Sequence, residues 1–160
     1  CRKIANHGRS AKYDHDFEGR NSRLDGLQAA ILNVKLKHLN VWIEKRIEVA
    51  NKYLRELDGV GDIILPIRQS WAKQAYHLFV IRTNRRDELK SYLSEKDIQT
   101  GIHYPISLPK LNAYEYLGQK KDQMFANSSE NSLLSLPIGE HLTNENTSCV
   151  INAVKSFFDN

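Results

Sequence analysis

From Gly19 to Leu57 the chain contains no proline, and apolar side chains recur at Leu24, Leu27, Ile31, Val34, Leu39, Ile43, Ile47, Ala50, Leu54 and Leu57. The steps are mostly three or four residues, the period of one face of an α-helix. Lys35, Lys37, Glu44, Lys45, Glu48, Lys52 and Arg55 fall on the other faces, and Asp58-Gly59 supplies a stop. At about 1.5 Å per residue, an uninterrupted helix of this length outruns a small domain. It must break, with Lys37-His38 and Gly26 the expected points, or reach into a second body. Either way, a long helix organises the fold.

The rest of the chain mixes strand and helix signals. Cys1 to Asn6 read as the end of a helix that His7-Gly8 breaks, and Ile63-Ile64-Leu65-Pro66 as a short strand closed by proline. Ala75 to Thr83 is the clearest strand, with Tyr76, Leu78 and Val80 on one face and His77, Phe79 and Ile81 on the other. Apolar side chains on both faces give it a central position. Asn84 stands where it would cap a helix from Arg85 to about Lys96. A strand from Ile98 to Tyr104 follows, then short helices at Leu111 to Leu117 and Asp122 to Leu133, and a strand at Leu136 to Ile138. Thr143, with Asn146 three residues on, starts the last helix. The fold class is α+β, a small and mainly antiparallel sheet covered by helices.

Composition narrows the function. With 160 residues the chain is long enough for one sizeable core, and 41% hydrophobic with 26% charged residues is ordinary for a globular protein. No apolar run reaches the roughly 18 residues that a membrane span needs. Cys1 and Cys149 make no disulfide framework, so a cytoplasmic location is expected. The net charge of +4 is spread along helices rather than gathered in one run, and no nucleic-acid-binding motif accompanies it. A nucleic-acid partner is not expected.

Two places carry candidate chemistry. Asn21 precedes the long helix, where an asparagine ordinarily caps the first turn, and Arg23 follows with a guanidinium fork suited to carboxylate or phosphate. His103-Tyr104-Pro105 lies at a strand end, and Pro105 holds Tyr104 extended. Such a pair is ordinarily packing. Tyr13-Asp14-His15-Asp16 alternates metal-ligand types but reads as hydrogen-bonded surface. Tyr76 and His77 read as core and sheet residues.

Four runs in order carry a resemblance that changes these readings: Gly19-Arg20-Asn21-Ser22-Arg23-Leu24-Asp25-Gly26-Leu27-Gln28-Ala29-Ala30-Ile31, Ala75-Tyr76-His77-Leu78-Phe79-Val80-Ile81, Thr100-Gly101-Ile102-His103-Tyr104-Pro105-Ile106, and Ser135-Leu136-Pro137-Ile138 before Leu142-Thr143. The chain resembles the DegT/DnrJ/StrS sugar-nucleotide aminotransferases, pyridoxal-phosphate (PLP) enzymes of the aspartate-aminotransferase fold, fold type I. The resemblance implies residues 1–23 as the tail of the large PLP-binding domain with its active-site loop, 24–57 as the linking helix and 58–160 as the C-terminal small domain. It implies that the chain is a C-terminal fragment whose cofactor lysine lies upstream. Alone it is then expected to be inactive and without covalently held cofactor.

The same resemblance assigns roles. Asn21 would reach across a homodimer interface to the PLP phosphate of the partner subunit. Arg23 would face the sugar nucleotide, and His103 and Tyr104 would lie near its hexose. The reaction implied is transfer of an amino group from glutamate to a keto-sugar nucleotide for cell-surface polysaccharide or lipopolysaccharide, with a lean towards 3-amino sugars. Ser107 and Pro109 depart from the usual proline and histidine, which leaves the loop geometry open. A non-catalytic regulatory or dimerisation protein derived from the same fold is the alternative.

Overall fold

The computed structural model describes residues 1–121 and 123–159. It divides into two compact units, Cys1–Asn40 and Val41–Asn160.

In the first unit, Cys1 to Asn6 form a turn rather than the tail of a regular helix. Ala5 N–H bonds Cys1 O in the helical manner at 3.0 Å, but Asn6 and Gly8 both turn back to Lys3 O. His7 and Gly8 then take φ of 58° and 71° and end the turn. Gly8 is needed here, because a Cβ would stand 1.7 Å from Phe17 O. Helix α1 covers Gly26–Leu36, so Gly26 begins the helix instead of kinking it. The expected break at Lys37-His38 is present: His38 N–H reaches back only to Lys35 O, at 3.0 Å, before α2 starts at Leu39 and runs to Glu56. No residue of α1 is buried, and Leu27 keeps 76% of its surface exposed.

The second unit is built on two four-residue strands, β1 (Phe79–Arg82) and β2 (Leu133–Leu136), paired antiparallel with Phe79 opposite Leu136 and Arg82 opposite Leu133. Ile64 bridges to Arg82 beyond β1, and Gly101 to Ser135 beyond β2. β1 is therefore interior, as its two-sided sequence predicts. The strands are shorter than predicted. Tyr76 takes φ 51°, a turn conformation, so the strand expected from Ala75 begins at Phe79 and leaves His77 exposed. The strands expected at Ile63 to Leu65 and Ile98 to Tyr104 reduce to single bridges. Helix α4 is only Phe125–Ser129, and β2 starts three residues before the strand expected at Leu136. Asp122, where that helix was expected to begin, lies outside the described residues.

Cross-strand partners share a face, so Phe79 and Leu136, with Ile81 and Leu134, line one side. These join Tyr53 of α2 and Leu57 just beyond it, Leu89 and Leu93 of α3 (Arg86–Ser94) and Ile151 and Val154 of α5 (Asn144–Phe158) in one buried cluster. Tyr53 packs against Phe79 with the rings tilted at 46° and their centroids 5.0 Å apart, and donates its hydroxyl to Pro137 O at 2.8 Å. Burial pushes that phenol's pKa up. Arg46 of α2 reaches Glu140 at 3.1 Å and donates to the carbonyls of Tyr76 and His77, fixing the turn before β1.

The helix starts show which capping signals hold. Thr143 and Asn146 form a reciprocal capping box on α5, as expected. Asn84 does not cap α3. Its own N–H donates to the Asp62 carboxylate at 2.8 Å, Thr83 Oγ1 donates to the same carboxylate, and Arg85 N–H donates to Thr83 Oγ1. Burial raises the Asp62 pKa, but the bonds from Thr83 and Asn84 outweigh it and hold the carboxyl below its ordinary value.

Candidate functional site

Asn21 lies in an extended segment laid along the first turn. Arg20 N–H donates to Ile4 O, Ser22 N–H donates to Ala5 O, and Asn21 bridges Asn6. The approach is close enough that a Cβ on Gly19 would stand 2.1 Å from Gly8 N. The backbone is thus fixed while the Asn21 side chain is exposed and makes no hydrogen bond among the described residues. It does not cap α1, whose N-cap is Asp25 with no side-chain bond. Arg23 is also exposed, two residues on. A free amide donor with guanidinium groups on either side at Arg20 and Arg23 is a donor set that fits a phosphate dianion.

The nearby His-Asp cluster is hydrogen-bonded surface: His15 Nδ1 bonds His7 O at 2.8 Å, and Lys3 pairs with Asp16.

His103 and Tyr104 belong to the second unit. The His103 ring is half-buried, with Nδ1 2.8 Å from Ser135 Oγ and the ring edge-on to Tyr104 at 5.5 Å. The peptide between the two residues is cis. The ring lies over Gly101 so closely that a Cβ there would meet Cε1 at 2.5 Å. Tyr104 is 71% exposed and stands at the edge of a mainly apolar groove of about 550 Å³. Ile106, Leu108, Leu111 and Leu133 line it, with Glu130 at its polar end.

The loop beyond Pro105 is held by residues that sequence reasoning missed. Glu130 accepts the Ser107 N–H at 2.8 Å and pairs with Lys110, while Ser107 Oγ bonds Asn127 Oδ1 at 2.6 Å. Lys110 and the Ser107 N–H hold the Glu130 carboxyl below the usual range. Serine at 107 therefore supplies the N–H that a proline there could not donate. No sequence pattern marks Glu130, because its partners lie 20 and 23 residues away. Chemically, the second unit offers an imidazole and a phenol beside an apolar wall, suited to a ring with few hydroxyls. The first offers an exposed amide flanked by guanidinium groups.

Residues 1–155 match the sequence model of the DegT/DnrJ/EryC1/StrS aminotransferase family. The chain is 43% identical over 97% of its length to the erythromycin biosynthesis sensory transduction protein EryC1 of Saccharopolyspora erythraea. It is 40% identical over 98% to the dTDP-3-amino-3,4,6-trideoxy-α-D-glucose transaminase of Streptomyces venezuelae. It superposes on the crystal structure of Streptomyces venezuelae DesV, solved with a ketimine intermediate, with TM-score 0.91 and 38% identity over 99% of its length. The chain spans about 43% of EryC1, 41% of the transaminase and 43% of the DesV chain.

Proposed function

The chain belongs to the DegT/DnrJ/EryC1/StrS aminotransferase family, and from that premise we propose that it is the C-terminal part of an enzyme transferring an amino group from glutamate to a nucleotide-linked keto-sugar. The observation that carries this reading is the likeness to DesV over 99% of the chain, through both candidate sites. Residues 1–23 then end the large domain, 24–57 link, and 58–160 form the small domain. Pyridoxal phosphate, when bound, supplies the electron sink for the transfer.

The chain's own residues bind and orient. Asn21 donates its amide to the cofactor phosphate of the partner subunit in a homodimer, and the exposed apolar surface of α1 fits a helix covered in that assembly. Arg23 pairs with the anionic part of the substrate. His103 and Tyr104 hold the hexose, with Tyr104 and the apolar groove accepting its deoxygenated edge. We place amination at C3 of a deoxyhexose on a nucleoside diphosphate, the chemistry printed in the name of the Streptomyces venezuelae relative. Two free, exposed cysteines fit a reducing cytoplasm, and no helix among the described residues is long and apolar enough to cross a membrane.

A regulatory protein on this fold is the second reading, favoured by the sensory-transduction name of the Saccharopolyspora relative. The unpaired amide of Asn21 weighs against it, since a purely regulatory surface has no use for a phosphate donor held on a fixed backbone. Incubating the intact protein with glutamate and a dTDP-linked 3-keto-6-deoxyhexose decides between them. The expected result is 2-oxoglutarate formed in proportion to amino-sugar; no 2-oxoglutarate with either 3-keto or 4-keto nucleotides would overturn the catalytic reading.

A further inference from the structure

The contact between His103 and Ser135 fixes more than a position. Ser135 is 4% exposed, in the middle of β2, and its hydroxyl makes one hydrogen bond among the described residues, to His103 Nδ1 at 2.8 Å. A serine hydroxyl carries one proton. If Nδ1 donated to Oγ, that proton would point into a buried site with no acceptor, an orphan that folded proteins avoid. The proton therefore belongs in the Oγ–H···Nδ1 bond. Nδ1 is the acceptor, and a neutral His103 carries its own proton on Nε2.

Nε2 has no hydrogen-bond partner among the described residues. The ring cannot rotate freely to find one. Its Cε1 edge lies on Gly101, where a Cβ would stand 2.5 Å away, and it stands edge-on to Tyr104 at 5.5 Å. We propose that Ser135 is a positioning residue that sets the His103 tautomer, so that the ring presents an N–H donor, not a lone pair, to an oxygen acceptor of the bound sugar nucleotide. A base for a sugar hydroxyl would need the opposite tautomer at Nε2. On this geometry neutral His103 recognises an oxygen that accepts, such as a carbonyl, ether or phosphate oxygen, and does not remove a proton. Gly101 belongs to the same device, because any side chain there would displace the ring.

The substrate part rests on the aminotransferase reading; the tautomer does not. The test uses intact protein labelled with [15N]histidine, in buffer alkaline enough that imidazoles are neutral, with the His103 signals assigned by their loss in His103→Gln. Long-range proton–nitrogen spectra should show Nδ1 as the unprotonated nitrogen and Nε2 as the protonated one. Ser135→Ala should move both nitrogens towards the average of two exchanging tautomers, while Ser135→Thr, which keeps the hydroxyl, should restore the single form. A protonated Nδ1 in the wild type, or an unchanged pattern in a folded Ser135→Ala protein, overturns the inference. Adding dTDP-glucose as a probe should then shift the Nε2 proton signal. A fixed tautomer with no such shift leaves the role of Ser135 standing and counts against the sugar-nucleotide reading instead.

Discussion

At the scale of single residues, Asn21 and Glu130 make opposite demands on a reader of the sequence. The run around Asn21 singles it out as a candidate, but the helix-capping role that its position also predicts is absent, because α1 begins at Gly26 after an extended segment. That separation sharpens its mutation. Asn21→Ala should remove one hydrogen bond to a charged group, about 1.5–3 kcal/mol, and weaken PLP affinity in the intact protein roughly ten- to a hundredfold. The melting temperature without cofactor should stay unchanged, and a fall in it would restore a structural role. Glu130 was not legible, since its partners lie far along the chain and only the fold brings them together. Its carboxyl is held below its ordinary value of 4.5 by Lys110 and the Ser107 N–H. The stability it contributes is then fully present above that pH and is lost as pH falls through its folded-state value. Glu130→Gln should lower the melting temperature at pH 7, and the gap to wild type should close as the solution is acidified below about 4.5. A gap that persists once both proteins carry a neutral side chain there would mean that the charge is not what holds the loop.

At the scale of elements, legibility followed range. The α5 start was readable because a capping box needs only residues three apart, and the break at Lys37-His38 because helix periodicity is local. Thr143→Ala should cost about 1 kcal/mol, measured by denaturant unfolding. A loss below a few tenths would show that the bond from Asn146 N–H to Thr143 Oγ1, at 3.1 Å, contributes little. The strand limits were not readable. Tyr76 and His77 have strand-like side chains, yet Arg46, some thirty residues earlier, draws their carbonyls into a turn. The start of α3 failed for the same reason: Asp62, 22 residues before Asn84, accepts from the Asn84 N–H and the Thr83 hydroxyl, and the N-cap is Arg85 instead of Asn84. Single bridges at Ile64 and Gly101 replace predicted strands, since a four-residue β1 and β2 give little length to pair against.

At the scale of the molecule, the two units differ in how far they bury their own apolar surface. The second closes a core of its own around Tyr53, Phe79, Leu93 and Ile151, whereas α1 leaves every residue unburied. The chain also spans less than half the length of the relatives it matches. The unburied α1 accords with an apolar face covered outside this chain, and on the proposed reading Asn21 serves the partner subunit. Mixing intact subunits carrying Asn21→Ala with subunits lacking the cofactor lysine tests this most directly. One site of each mixed dimer would join an intact lysine to an intact Asn21, so activity should recover to roughly half of wild type per mixed dimer, above that of either parent. Mixed dimers that form and yet show no recovery would contradict a cross-subunit Asn21.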